Sequence, residues 1–169
     1  PMAIDAALGV VKAYTTRVGN GPLPTEVDEG LGQSLRELGQ EYGATTGRPR
    51  RCGWFDSVVV RYAGRVNGLT GLAVTKLDVL DSFDRIAICT AYRVRGERVA
   101  DFPADIAELD NLQPEYEWHE GWRVPTGSLR RFQDLPRQAR AYLARIEELS
   151  GVPLRYVSVG TRRDQIIEV

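Results

Sequence analysis

This 169-residue chain is poor in the residues that most often carry chemistry. It has two cysteines, Cys52 and Cys89, one histidine, His119, and one methionine. Two cysteines are too few for a disulfide framework or a four-cysteine zinc site, and they fit a reducing compartment; a cytoplasmic location is expected. Cys52 has no histidine partner for nucleophilic work, and Cys89 reads as a small packed residue. His119 stands in Tyr116-Glu117-Trp118-His119-Glu120, far from any other ligand set, and reads as a surface histidine with no metal to hold. An excess of one charge is also missing. The 22 basic and 23 acidic residues nearly cancel, which argues against bulk attraction to nucleic acid or an anionic membrane. No apolar run approaches the ~20 residues of a membrane span. Neither Gly-x-x-x-x-Gly-Lys-Ser/Thr nor Gly-x-Gly-x-x-Gly occurs.

Lysine is scarce as well: only Lys12 and Lys76 stand among the 22 basic residues, and the rest are arginines. What remains is an ordinary globular composition, 43% hydrophobic and 27% charged, long enough for one domain or part of a larger one. Residues 1–32 read as loop-rich, with turn formers dense over Gly19-Asn20-Gly21-Pro22-Leu23-Pro24-Thr25-Glu26. A helix is expected over Gln33 to Tyr42, with Leu35 and Leu38 on one face and Gly43 as its stop. A second runs from Ser57 to Asn67, with Asp56 as cap, Gly68 as stop, and Val59, Tyr62, Ala63 and Val66 as the apolar stripe. Leu72 to Thr75 reads as a buried strand. Arg85 to Val94 alternates and turns through Arg95-Gly96-Glu97 into Arg98-Val99 as a hairpin. Residues 101–134 read as irregular, with a further strand over Glu115 to Trp118. Pro136 to Ser150 is the clearest helix, with Ala139, Tyr142, Leu143, Ile146 and Leu149 inward. Leu154 to Val157 and Gln165 to Ile167 close the chain as strands. The class is α/β with an antiparallel hairpin portion.

Three constellations could carry chemistry. Gly43-Ala44-Thr45-Thr46-Gly47-Arg48-Pro49-Arg50-Arg51 offers backbone N–H and hydroxyl donors beside guanidinium groups, which suits carboxylate or phosphate oxygens. A solvated basic turn is the alternative. Thr75-Lys76-Leu77-Asp78 directly follows an apolar strand. Guanine presents N1–H and the 2-amino group on one edge, and a single carboxylate accepts both; a lysine stem can lie along the base. The carboxyl end of a strand is where α/β sheets bind ligands. Asp81 and Asp84 nearby read as loop and capping residues. Val157-Ser158-Val159-Gly160-Thr161-Arg162-Arg163-Asp164 permits close backbone approach to a ligand at Ser158-x-Gly160, or is simply the hairpin turn between the closing strands.

Taken together, these segments resemble the adenylosuccinate synthetase family. The resemblance rests on Val11-Lys12-Ala13-Tyr14-Thr15-Thr16-Arg17-Val18-Gly19, Gly21-Pro22-Leu23-Pro24-Thr25-Glu26 and the Gly43 to Arg51 run. It continues through Leu69-Thr70-Gly71, Thr75 to Asp81, Ile146 to Pro153 and Ser158-Val159-Gly160, and it covers essentially the whole chain. The family joins L-aspartate to IMP using GTP: the 6-oxygen of IMP is phosphorylated, and the aspartate amine then displaces that phosphate. The resemblance implies the C-terminal part of a mostly parallel, P-loop-NTPase-like sheet with flanking helices.

It further implies an aspartate/IMP region of Val18, Ala44, Thr45, Thr46, Gly47, Arg48, Pro49 and Arg50. Arg48 would also face IMP, and Arg50 would reach GTP. Lys76, Leu77 and Asp78 would read guanine, with Ser158, Val159 and Gly160 closing over the base. Two positions depart from the family pattern: Gly160 is followed by Thr161-Arg162-Arg163 in place of the usual Pro-Asp-Arg, and Pro49 stands where members often carry a basic residue. The phosphate loop, the catalytic aspartate and histidine, and the magnesium ligand are not matched in this chain. The expectation is a fragment, or one piece of a split enzyme, inactive alone, from a family that forms homodimers. A stand-alone guanine-nucleotide-binding module and a non-catalytic assembly partner are the alternatives.

Overall fold

The computed structural model describes residues 4–103, 109 and 111–169. In chain order its elements are β1 (Leu8–Lys12), β2 (Thr15–Arg17), α1 (Glu29–Gly39), β3 (Arg51–Gly53), β4 (Phe55–Asp56) and α2 (Ser57–Asn67). There follow β5 (Gly71–Thr75), β6 (Arg85–Val94), β7 (Glu97–Val99), β8 (Gln113–Glu120), α3 (Arg137–Ser150), β9 (Leu154–Ser158) and β10 (Ile166–Glu168). The principal sheet has the order β1-β5-β9-β10. Its first three strands are parallel and β10 returns antiparallel to β9. A second sheet pairs β6 with β4 in parallel and with β7 and β8 antiparallel. β2 and β3 form a two-stranded ribbon. The class is the mixed α/β expected, parallel-dominated in its main sheet.

Local chemistry explains the ends of most elements. The side chain of Asp56 accepts from the Val58 and Val59 N–H groups at 3.1 Å each, and Gly68 ends α2 at φ 59°, a left-handed position that costs glycine little. The hairpin turn joining β6 and β7 places Arg95 at φ 52° and Gly96 at φ 88°, the two positive φ values of a type I′ turn. α3 buries Ala139, Tyr142, Leu143 and Ile146, with Leu149 partly covered, as its stripe predicts. The Tyr142 hydroxyl donates to the Ala13 carbonyl at 2.7 Å, which pins α3 to the end of β1.

Several expectations are corrected. Residues 1–32 are rich in loop as expected, but they also hold β1, β2 and the first residues of α1, and β1 pairs with β5, some sixty residues on. α1 begins earlier and stops sooner than Gln33 to Tyr42. Asp28 caps it by accepting from Leu31 N–H at 3.0 Å, and the chain leaves the helix at Gln40, φ 50°, not at Gly43. Leu35 is buried but Leu38 is 52% exposed, so the expected pair splits. α2 has the right bounds and the wrong face. Val58, Val60 and Gly64 point inward, whereas Val59, Tyr62 and Val66 face solvent in this chain. β8 is longer than Glu115 to Trp118 because β6 offers it partners from Arg85 to Arg93. The irregular stretch expected over 101–134 lies partly outside the described residues. His119 is not a surface residue: its ring meets the Tyr142 ring edge-on at 5.7 Å, and its Nε2 lies 3.2 Å from Glu117. Burial pulls its pKa down, against the pull of Glu117.

Candidate functional site

The three parallel strands end together. Lys12 is opposite Thr75, and Val74 is opposite Val157. The segments that leave β1, β5 and β9 therefore emerge on one carboxyl edge of the sheet, where this architecture gathers its ligands. After β5, Lys76 turns the chain at φ 60° into a 3₁₀ turn over Leu77–Leu80. Leu77, Val79 and Leu80 are buried and anchor it. Leu77 is fully covered and supports the turn from beneath.

Asp78 is left half-buried between these anchors. Its Oδ1 is buried with no hydrogen-bond partner among the described residues, and burial raises its pKa. A buried acceptor without a donor is rare enough to call for an explanation. Asp81 on the same turn is no simple capping residue. It accepts from Trp122 Nε1 at 2.6 Å, from Thr126 N–H at 2.7 Å and from the Thr126 hydroxyl at 2.9 Å. Those bonds strap the segment after β8 to the turn that bears Asp78.

A residue that the motifs did not single out sits at the centre of the edge. Glu41 is fully buried. Its Oε2 accepts from Lys12 Nζ and from Arg50 Nη1, each at 2.7 Å. Its Oε1 accepts from the Tyr14 hydroxyl at 2.6 Å and from Lys76 Nζ at 2.8 Å. Burial would push this carboxyl up, but the donated bonds of Lys12, Lys76 and Tyr14 outweigh it and draw the pKa down to about 2. Lys12 is pulled down by its own burial, with Glu41 holding it up. A glutamate two residues past a helix carries no local signal. Its partners are 9 to 35 positions away, and only the fold gathers them.

The basic loop projects from this hub. Tyr42 and Pro49 pair as an antiparallel bridge. Gly43 N–H donates to the Arg48 carbonyl, and Gly47 N–H donates to the Gly43 carbonyl, both at 2.8 Å. Gly47 sits at φ 65°. Ala44, Thr45, Thr46, Gly47, Arg48 and Pro49 are exposed. The Arg48 guanidinium has no hydrogen bond or ion pair among the described residues, whereas Arg50 is tied to Glu41. Two arginines two positions apart thus differ in role: one is held, one is free. Val18, 57% exposed, follows β2. The turn-rich segment behind it is fastened by Arg51, whose guanidinium bonds Glu26 and the Gly19 and Gly21 carbonyls at 3.1 and 2.6 Å. The sequence showed Arg51 only as one more base in the run.

The third constellation is the turn between the closing strands, with Ile166 paired to Ser158. The Ser158 hydroxyl donates to the Gly160 carbonyl at 2.7 Å. A Cβ at Gly160 would strike the Gln165 side chain, which bonds the Gly127 carbonyl at 2.9 Å and accepts from Arg162 N–H at 3.0 Å. The tied Gln165 side chain leaves little room for a Cβ at Gly160, and the turn follows β9, the neighbour of β5 in the sheet. Among the described residues, no group of three or more His, Cys, Asp or Glu side chains could hold a metal ion.

Residues 1–167 match the family model described as adenylosuccinate synthetase. An adenylosuccinate synthetase of Syntrophomonas wolfei is 56% identical over 167 residues, spanning 99% of this chain and 39% of that relative. One of Desulforamulus reducens is 53% identical over the same span. A solved structure of fully ligated adenylosuccinate synthetase from Plasmodium falciparum superposes with a TM-score of 0.94 at 36% identity, covering 98% of this chain and 40% of that one. The chain thus spans about two fifths of the length of the curated relatives it matches.

Proposed function

The chain belongs to the adenylosuccinate synthetase family, and from that premise we propose that it carries the aspartate loop and guanine pocket of a GTP-dependent IMP–aspartate ligase. The product would be adenylosuccinate, with GDP and phosphate released. One observation supports this most: the unpaired, buried Oδ1 of Asp78 beside Lys76 at the carboxyl edge of β5. A carboxylate held there is a ready acceptor for the adjacent N1–H and 2-amino donors of guanine, which adenine lacks. Ser158, Val159 and Gly160 would wall the base from β9. The exposed loop of Ala44, Thr45, Thr46 and Gly47 presents backbone and hydroxyl donors to the aspartate carboxylates. Arg48, free of partners, would supply a bidentate, charge-assisted bond to the same substrate and face IMP, near Val18. Arg50 would reach toward GTP from its anchor on Glu41.

In this reading these residues bind and orient the substrates, and the groups that move protons are supplied from outside this chain. No group of three or more His, Cys, Asp or Glu side chains among the described residues fits magnesium, and the reading assigns the ion to groups outside this chain. The same reading carries a homodimer and a cytoplasmic setting. Two buried free cysteines fit the latter, and no described helix is long and apolar enough to cross a membrane. A non-catalytic assembly partner is a second reading, favoured by the exposed Val59, Tyr62 and Val66 on α2; the orphaned Asp78 and unpaired Arg48 weigh against it. Calorimetry separates them. The proposal expects this chain to bind GDP and not ADP. Absence of GDP binding overturns it, and turnover by this chain alone with IMP, GTP, aspartate and magnesium overturns the placement of the acid–base groups elsewhere.

A further inference from the structure

Both lysines of the chain, and the arginine that leaves the basic loop, converge on one carboxylate. The four donors to Glu41 come from four places: Lys12 at the end of β1, Tyr14 in the connection to β2, Arg50 just before β3, and Lys76 just after β5. An ionised carboxylate offers about four acceptor positions, so Glu41 is saturated, two donors to each oxygen. Its one negative charge faces three positive ones. The cation side chains remain 24%, 30% and 32% exposed while Glu41 is fully covered. One cation already balances the charge of a buried carboxylate. Three cations crowd one another: Lys12 is pulled down chiefly by burial and in smaller part by the charges of Lys76 and Arg50. A surplus of positive charge at a half-open edge is what an anionic ligand compensates. Lys76 Nζ also donates to the Gly39 carbonyl at 2.6 Å. Its charged tip is thus doubly anchored, and its methylene stem is the part left to lie along a base.

We propose that Glu41 is a positioning residue that locks Arg50 and Lys76 into a single ionic unit, so that the carboxylate-binding loop and the purine-reading turn are set against each other as one rigid site. The inference rests on the proposed function for the names of the ligands and on the geometry alone for the unit itself.

The scarcity of lysine makes a direct test possible. Acetic anhydride at mildly alkaline pH, read by mass spectrometry, reports Lys12 and Lys76 separately. Glu41→Gln keeps the size and removes the charge. It should speed acylation at both lysines by about tenfold, the factor expected when a charge-assisted bond of roughly 1.5 kcal/mol is lost. Cys52, buried against β2, should stay closed to a thiol reagent. The same variant should weaken GDP binding by about tenfold at unchanged stoichiometry, and Glu41→Asp, which keeps the charge, should recover part of that loss. A residue needed only for packing would lower the stoichiometry and not the affinity. Unchanged acylation at both lysines, with Cys52 still closed, overturns the proposal. If Glu41→Gln opens Cys52, Glu41→Asp decides: its carboxylate, drawn back by one methylene, cannot reach both lysines, so at least one should acylate faster, and if neither does the proposal is overturned. A wild-type chain with protected lysines but no GDP binding overturns the guanine assignment and leaves the ionic unit standing.

Discussion

Replacing Asp78 by asparagine should move stability and ligand affinity in opposite directions. The wild-type carboxylate keeps one buried oxygen without a donor, and burial raises its pKa. For an acid raised in the folded state, stability is greatest at low pH and falls as pH rises through the raised value. At pH 7 the ionised Asp78 is therefore a burden on the free protein. Asparagine is neutral at every pH, so the variant should be more stable by about 1 kcal/mol, the low end of the cost of an unsatisfied buried polar group. Binding responds the other way. The carboxylate can accept both guanine donors, whereas an amide accepts one and turns its own N–H₂ against the other. Two charge-assisted bonds at roughly 1.5–3 kcal/mol each are at stake, so GDP affinity should fall on the order of 100-fold or more. Urea unfolding at pH 7 gives the first quantity, and calorimetric titration with GDP, against ADP as control, gives the second. A variant less stable than wild type that binds GDP as before would refute both halves of the reasoning.

Acid should dissolve the Glu41 hub. Because its pKa is depressed, from 4.5 to about 2, its contribution is complete above the unfolded value and is lost as pH falls toward 2. At ~1.4 kcal/mol per pH unit the loss is about 3 kcal/mol. Urea midpoints between pH 5 and pH 2.5 should thus fall more steeply in wild type than in Glu41→Gln, and equal slopes would count against it. Gly121→Ala should cost about 3 kcal/mol, because the added methyl lands on the backbone carbonyl of Phe83, which cannot swing aside; a calorimetric melt within a degree of wild type would contradict this. Arg51→Gln should leave the melt nearly unchanged yet speed limited proteolysis between Gly19 and Pro24, since the Gly19 and Gly21 carbonyls lose their shared donor.

What could be read without coordinates followed the range of each interaction. α2, α3 and the β6–β7 hairpin are bounded by neighbours a few residues away: Asp56 and Gly68, Gly151, and the Arg95-Gly96 pair. Those signals are written locally, and their bounds stood. The inward face of α2 was not readable. Val58, Val59 and Val60 are equally apolar, and periodicity favours Val59, Tyr62 and Val66, which this chain leaves exposed. β1 carries a mixed pattern that becomes a strand only because β5 lies beside it. The Lys76-Leu77-Asp78 turn and the basic loop could be proposed as ligand sites from residue type and position. Glu41, Asp81 and Arg51, which hold those sites in place, could not, since their partners come from distant segments.

The strap at Asp81 has a consequence for observation. Trp122 is 4% exposed, and its indole N–H points at a carboxylate three positions from Asp78 on the same turn. Indole emission follows the electric field along the ring and the strength of that hydrogen bond. A ligand that hydrogen-bonds Asp78 would alter the field at Asp81, whose charge already acts on Asp78. If Asp78 reads a purine as proposed, Trp122 emission should shift on GDP addition, a change that Trp122→Phe should abolish, with no label added and neither lysine touched.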